Sequence, residues 1–471
     1  MQPTTANAAS PLMSDTETKV PALPPLLDPT IATLLEHSPG RVMELVEQFG
    51  SPLNIVWPHI LHKNLHAMRS VLQAHGVEHQ IFYAIKVNKS QSLVHAAVDA
   101  GLGVDASSLY EFRDALRAGA KPEQICGTGP AKPDAFIADL VSRGALISID
   151  SVEELAVLES LLSDYRDNWP IRVTLRYRPS ASLQSRFGMT ANDLEHCLRK
   201  LSTQKAAFQF EGFHFHLGGY RPAPRAEALC ELVDWVDTAR ALGLSPRMVD
   251  IGGGIPIRYV ESDSYDAFIA SHHDGHYRNA TTPTSFYPYG GRMDAQKWLS
   301  LFLASPCRDG QNIADYLKQE NLVLGLEPGR SLVDQTAVTA FRITRVKALG
   351  ENDYVLFVEG SSFSACETWF NSEFLQDPIH LPCGLAGAND DKPCRAYIAG
   401  HSCLDEDVIT NRFLPFQSRP QTGDLIVYAN TAGYQMDLLE NEFHRVPMPN
   451  RIAVNSDLTT VVLDDLSGEA E

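Results

Sequence analysis

The sequence predicts an α/β protein: a (β/α)8 TIM-type barrel plus a mostly antiparallel β domain. Three observations predict it. Eight short apolar runs alternate with helical patterns between residues 81 and 327, the rhythm of a parallel barrel. Beyond residue 331 the apolar runs continue, but turn residues replace the helical period, as in an antiparallel sheet. Reactive and charged side chains fall at the far ends of the barrel runs, where such barrels gather their function.

Residues 1–30 hold Leu23-Pro24-Pro25-Leu26-Leu27 and lack both the basic and the apolar region of a secretory signal, so they read as a mobile arm. The barrel is expected over residues 50–330. Its strand runs are 81–87, 102–106, 124–128, 145–150, 171–178, 208–217, 247–251 and 322–327. Helix starts follow two of them. Ser107-Ser108-Leu109-Tyr110-Glu111-Phe112 begins with a capping signature, and Ser151-Val152-Glu153-Glu154 is a capping box. One connection, 259–300, is too long and reads as a lid-like insertion. Its His272-His273-Asp274-Gly275-His276 reads as a solvated polar loop rather than a metal site. The β domain is expected over 331–471, joined by residues 31–57. Val338–Val346, Tyr354–Val358, Cys394–Ala399 and Asp424–Ala429 are its strands.

Composition excludes several classes. The 471 residues carry a net charge of −19 with no Lys/Arg cluster, which disfavours nucleic acid. No run of 18 apolar residues exists, so no spanning helix and no membrane role are expected. The eight cysteines are scattered without a C-x-x-C pair, the pattern of reduced thiols in a cytoplasmic protein rather than of a zinc ribbon.

The chemistry gathers around Lys86, in Phe82-Tyr83-Ala84-Ile85-Lys86-Val87-Asn88. A lysine among apolar, β-prone residues is costly unless it is used. Burial lowers a lysine pKa, and the neutral amine attacks aldehydes to form Schiff bases. Asp105 ends the second run and Arg176 lies near the end of the fifth. His214 and His216 end the sixth, Gly252-Gly253-Gly254 follow the seventh, and Glu327-Pro328-Gly329-Arg330 closes the eighth. His214 and His216 have zinc-like spacing, yet no further ligand completes a metal site. Consecutive glycines free backbone N–H groups to cradle a phosphate. Amine, stacking ring, phosphate cradle, carboxylate and arginine are what a pyridoxal phosphate site needs.

Six motifs, in order, resemble the fold-type III pyridoxal-phosphate decarboxylases, the family of ornithine, arginine and diaminopimelate decarboxylases with an alanine racemase-type barrel. They are Tyr83–Asn88, Val104–Ser107, His216–Gly219, Asp250–Gly254, Glu327–Arg330, and Cys403 with Asp407 followed by Ala432-Gly433-Tyr434, within residues 50–445. The resemblance implies an enzyme that binds pyridoxal 5'-phosphate and an amino-acid substrate. It implies that Lys86 bonds the cofactor aldehyde, His216 stacks on the ring and Glu327 pairs with the ring nitrogen. Gly252, Gly253, Gly254, Arg330 and Tyr434 hold the phosphate, and Cys403 lies in the motif that protonates the substrate carbanion. Asp105 and Arg176, at the ends of the second and fifth runs, are assigned to the cofactor pocket. The resemblance also implies a homodimer whose active sites are shared, one chain bringing the cysteine motif to the other's lysine.

Two departures bear on the substrate. His216-Leu217-Gly218-Gly219 has glycine where the family usually has serine, which removes one hydroxyl contact to the phosphate. The residue after Cys403, usually an acid that grips the distal end of the substrate, is Leu404, and a gapless match puts Asn371 where ornithine decarboxylases place a second acid. Asp405 or Glu406 is left as a substitute. A buried cationic distal amine without an acid is expensive, so a modified or larger diamino acid is expected, admitted by the 259–300 insertion. The alternatives are a racemase or epimerase on the same scaffold, which Glu327 disfavours because alanine racemases carry arginine there, and a non-catalytic partner-binding paralogue, which the retention of Lys86 and Cys403 disfavours.

Overall fold

Buried parallel strands need apolar side chains on both faces, and that is what closes the barrel here. The computed structural model describes residues 21–164, 170–284, 286–364, 374–384, 392–437, 439 and 443–464. A first strand, β1 (Leu53–Val56), stands outside the barrel. The barrel strands are β2 (His79–Ala84), β3 (Gly103–Ala106), β4 (Ile125–Gly127), β5 (Leu146–Ile149), β6 (Ile171–Arg176), β7 (Phe208–His214), β8 (Met248–Asp250) and β9 (Val323–Leu326). Each pairs in parallel with the next, and β2 closes on β9. All eight expected runs are strands.

The runs end earlier than the sequence suggests, and the difference shapes the site. Lys86 does not end a strand. The chain leaves β2 at Ala84 and makes a 3-10 turn over Ile85–Val87, closed by Asn88 N–H to the Ile85 carbonyl at 3.1 Å. Ile85 and Val87 are buried while Lys86 is left pointing away from them. His216 likewise lies two residues past β7. Gly212 makes the close approach of β7 to β8 possible, because a Cβ there would meet the Met248 carbonyl oxygen at 1.9 Å.

The two helix starts hold strand ends in place. Ser108 Oγ caps Glu111 N–H at 3.1 Å, and Glu111 reaches back to accept Ser107 N–H at 2.7 Å. Ser151 caps Glu154 at 3.2 Å, and Glu154 accepts Asp150 N–H at 2.8 Å. In both, the glutamate bonds the residue before the cap rather than the cap itself, a variant of the usual box. Asp105 and Asp150 stand just ahead of these caps.

The second layer is a sheet of β1 with β10 (Ala337–Ala348), β11 (Asp353–Val358), β12 (Ile379–Leu381), β13 (Cys394–Ala399), β14 (Val408–Phe416), β15 (Leu425–Ala429), β16 (Asn450–Val454) and β17 (Val461–Leu463). Its order is β14-β13-β11-β10-β1-β16-β17, with β15 against β10 and β12. Only β1–β16 and β11–β13 are parallel among the described pairs. Helices Pro29–His37 and Pro39–Phe49 cover Leu53, Ile55, Val338 and Val427 on one face. Each such fully buried side chain contributes about 1.5–3 kcal/mol.

Two sequence expectations fail here. Residues 1–20 lie outside the described residues, but Leu23–Asp28 is no mobile arm. Leu23 is fully buried against Val260, Phe268 and Leu375, and its backbone exchanges two 2.7 Å hydrogen bonds with Asp377. The His272–His276 segment of the 259–300 insertion is not wholly solvated: Asp274 and Gly275 are exposed, but His276 is buried, and the insertion around it is folded. It forms helices Ser262–Ser271 and Ala295–Leu303, stacks Tyr259 on Tyr289 at 4.7 Å and buries His276. Aromatic side chains closely spaced in sequence give this segment its own packing. Among the described residues no helix is long and apolar enough to cross a membrane.

Candidate active site

A cavity of about 270 Å³ opens at the C-terminal end of the barrel. Its wall includes Lys86, His216–Tyr220, Gly253–Ile255, Tyr287, Glu327, Arg330 and Tyr434. The Lys86 side chain is 36% exposed, and its Nζ donates to Asp105 Oδ2 at 2.8 Å. Asp105 is fully buried and also accepts from the Thr128 hydroxyl. Burial alone would lower the Lys86 pKa, as the sequence suggested. The Asp105 and Glu327 carboxylates outweigh it and hold the ammonium above the ordinary lysine range. The expectation of a neutral amine is therefore corrected: before an aldehyde arrives, Lys86 is a paired cation.

The ring end of the cavity is set by Glu327, Asp250, His214 and His216. Ligating atoms of His214, Asp250 and Glu327 all lie within 4.8 Å of one another. Two neighbouring carboxyls cannot both ionise cheaply. Burial and then the Glu327 charge push the Asp250 carboxyl well up, while its Oδ1 accepts Gly252 N–H at 2.8 Å. Burial also raises Glu327, but His216, Lys86 and Arg176 together pull it below the usual carboxylate range. Glu327 is thus the anion of the pair. His216 Nδ1 accepts Gly253 N–H at 3.2 Å and stays neutral, its pKa lowered chiefly by burial. His214 Nδ1 bonds Ser148 Oγ at 2.7 Å, and its Nε2 stands 3.5 Å from Glu327 Oε1. The trio has metal-like spacing, and Asp250 Oδ1 already accepts Gly252 N–H, which directs the group to shaping the glycine bend beside Glu327.

The opposite end is built for an anion. Gly252 and Gly254 take φ of 66° and 78°, and a Cβ on Gly253 would meet the Glu327 carbonyl oxygen at 2.5 Å. Only glycine passes through this bend. The Arg330 guanidinium lies between the Tyr287 and Tyr434 rings, 4.5 Å from each centroid, and donates to the Tyr220 hydroxyl at 2.9 Å. Tyr434 N–H bonds the Val87 carbonyl at 2.8 Å, which ties the β domain to the Lys86 turn. Glu327 Oε1 and Arg330 Nε are buried without a hydrogen-bond partner among the described residues. A protonated ring nitrogen and an anionic oxygen are the partners these orphans lack, with Lys86 between them for an aldehyde. The residues fit pyridoxal 5'-phosphate.

Other expected site residues stand apart. Arg176 is committed to Asp150 at 3.0 Å and to the Phe187 ring, and does not line the cavity. Gly252 shapes the bend from behind. Cys403 is exposed, bonds His444 through its backbone N–H at 3.3 Å and is absent from the cavity wall of its own chain. Leu404 is 41% exposed. The Asp405 side chain is 92% exposed and pairs with Arg278 at 3.4 Å. Buried Asp407 holds this loop by accepting from Ser362 and from Ser402 N–H. Asn371 lies outside the described residues. Conversely, sequence reasoning passed over Asp250, Tyr220 and Tyr287. Tyr220 directly follows His216–Gly219, and Asp250 is the first residue of the motif that ends in the glycines, so membership of a motif or adjacency to one was the available signal. Tyr287 carried none beyond its aromatic cluster.

Comparison with known proteins agrees with this geometry. The pyridoxal-binding domain of the pyridoxal-dependent decarboxylases matches residues 60–277. An uncharacterized protein of Sinorhizobium fredii, y4yA, is 50% identical over 436 residues, covering 92% of this chain and 94% of its own. Diaminopimelate decarboxylase of a Synechocystis species is 27% identical over 455 residues, 91% of this chain and 87% of its own. The crystal structure of the M. jannaschii diaminopimelate decarboxylase in complex with L-lysine shares the fold, with a TM-score of 0.70 at 18% identity over 90% of this chain and 91% of that one. The Chlorella virus arginine decarboxylase bound to agmatine does so at 0.62 and 16% identity, over 86% and 97%. The chain belongs to the fold-type III pyridoxal-dependent decarboxylases and is an amino-acid decarboxylase that uses pyridoxal 5'-phosphate.

Proposed function

We propose that this decarboxylase acts on a diamino acid that is larger than ornithine or lysine or is modified at its distal amine, at sites shared between two copies of the chain. The observation that carries the substrate reading is the Cys403 loop. Its next residue is the apolar Leu404, and the nearby Asp405 is already paired with Arg278. Of the two acids that could grip a distal ammonium there, Asp405 is taken by Arg278, which leaves only the exposed Glu406 among the described residues of the loop. Tyr287, from the 259–300 insertion, forms part of the cavity wall beside Arg330.

The family resemblance and the residues of the cavity support the following roles. When bound, pyridoxal phosphate would supply an electron sink for the pair left at the substrate Cα by loss of CO2. Lys86 would hold the cofactor aldehyde. Glu327 would pair with the ring nitrogen and His216 would lie against the ring. Arg330 and the glycine bend would hold the phosphate. Cys403 of the second copy delivers a proton to Cα.

CO2 release from a panel of L- and D-amino acids tests the substrate reading. Plain ornithine and lysine are expected to show kcat/KM about 100-fold or more below a substrate with a neutral or bulkier distal group, the cost of an unpaired charge. Either of them as the best substrate would sink the reading. Complementation tests the sharing. Lys86→Ala and Cys403→Ala chains, each nearly inactive, are mixed and allowed to exchange. Random exchange makes half the dimers mixed, each with one intact site, so about a quarter of the activity should return. No recovery despite proven exchange would place each site within one chain.

A further inference from the structure

We infer that Arg225, a side chain behind the glycine bend and not part of the cavity wall, supplies the positive charge that lets this bend hold a phosphate. Arg225 sits in the first turn of helix Pro222–Ala241 and is fully buried. Its Nε donates to the Gly253 carbonyl at 3.0 Å, and its Nη2 donates to the Leu217 carbonyl. Its guanidinium lies 5.7 Å from the centroid of the Trp298 ring. These are its partners among the described residues; no carboxylate pairs with it. Among the described residues, the other arginines whose whole side chain is buried pair with carboxylates: Arg412 with Asp377, Arg176 with Asp150 and Arg451 with Asp437.

A buried cation without a counter-ion is expensive, by several kcal/mol. Burial does lower the Arg225 pKa, to about 10, but that leaves it charged at neutral pH. Two carbonyls take two of its donors and a ring packs on it, without neutralising it. An anion at the adjacent bend would. The proximity is direct, because a Cβ on Gly254 would fall 1.9 Å from Arg225 Nη2. The same region lacks a hydroxyl at Gly219, where the sequence pattern leads one to expect serine. Charge from behind thus replaces a hydroxyl from the front. The bland reading is a pin that merely ties the loop at Leu217 to the loop at Gly253.

The inference rests on the phosphate lying at the glycine bend, and the test separates the two. Apoprotein is titrated with pyridoxal 5'-phosphate and with unphosphorylated pyridoxal, following absorbance, and its melting temperature is read with and without inorganic phosphate. Arg225→Gln keeps donors but not charge; Arg225→Lys keeps charge. The glutamine chain is expected to lose about 100-fold in affinity for pyridoxal 5'-phosphate, about the worth of one charged hydrogen bond in a buried site. Its pyridoxal affinity should hold, and inorganic phosphate should no longer raise its Tm. The lysine chain should keep the preference for the phosphorylated form. Equal loss of both ligands in the glutamine chain, or no loss of either, would overturn the inference and leave Arg225 a pin. Arg225→Met, which keeps the apolar stem near Trp298, replaces glutamine if that chain does not fold. A wild-type apoprotein with no preference for the phosphorylated ligand would instead overturn the phosphate site itself.

Discussion

Lys86→Ala protein is expected to lose the borohydride-trappable bond to the cofactor and to lose turnover on the order of 10³-fold or more, as when a covalent catalyst is removed. Lys86 is the amine that the 3-10 turn at Ile85–Val87 presents to the cavity. Its ammonium is paired with Asp105 at 2.8 Å, so the alanine chain also leaves a fully buried carboxylate without its cation. That cost appears in stability rather than in chemistry, and a melting curve separates the two. Mass mapping after borohydride reduction identifies the attachment site. A covalent adduct on another lysine in the alanine chain would show that the assignment is wrong.

Glu327→Gln is expected to lower kcat by about 100- to 1000-fold, the usual worth of one preorganised electrostatic partner, while the cofactor stays bound. Glutamine has the same shape but no charge to keep the ring nitrogen protonated. Glu327 is also one of the two acids that raise the Lys86 pKa, so the same change should let Lys86 release its proton at lower pH. Asp250 supplies an internal check. Its pKa is raised chiefly by burial and then by the Glu327 charge. With glutamine in place, Asp250 becomes easier to ionise and can partly take over, so Glu327→Gln/Asp250→Asn should fall further than the single change. An unchanged single-turnover rate in Glu327→Gln would remove the carboxylate from the mechanism.

Much of the barrel was legible because its strands are buried on both faces and therefore read as unbroken apolar runs. Lys86, Glu327 and the glycine triplet stood out for the converse reason: each is a residue that an apolar strand or a regular turn does not tolerate without a use. The anchoring of Leu23–Asp28 was not legible. Six residues with two prolines look like linker until Phe268 and Leu375, hundreds of positions away, come to cover Leu23. The histidines at 272–276 read as polar for the same reason, since nothing local shows that His276 is enclosed.

By itself the sequence determined the barrel, the sheet that follows it and the set of chemical groups at the barrel's mouth, because strand periodicity and motif spacing are local properties. Only the tertiary structure decided their states. Lys86 is a paired cation because Asp105, from the next strand, lies 2.8 Å away. The Asp250 carboxyl is pushed up and Glu327 is pulled down because β8 and β9 bring two carboxyls together beside His216, Lys86 and Arg176. Arg225 looks like any helix arginine in the chain, and becomes an uncompensated charge only where its helix seats it behind Gly254. Charge states and buried fields depend on distances across strands and loops, and a linear sequence contains no such distances.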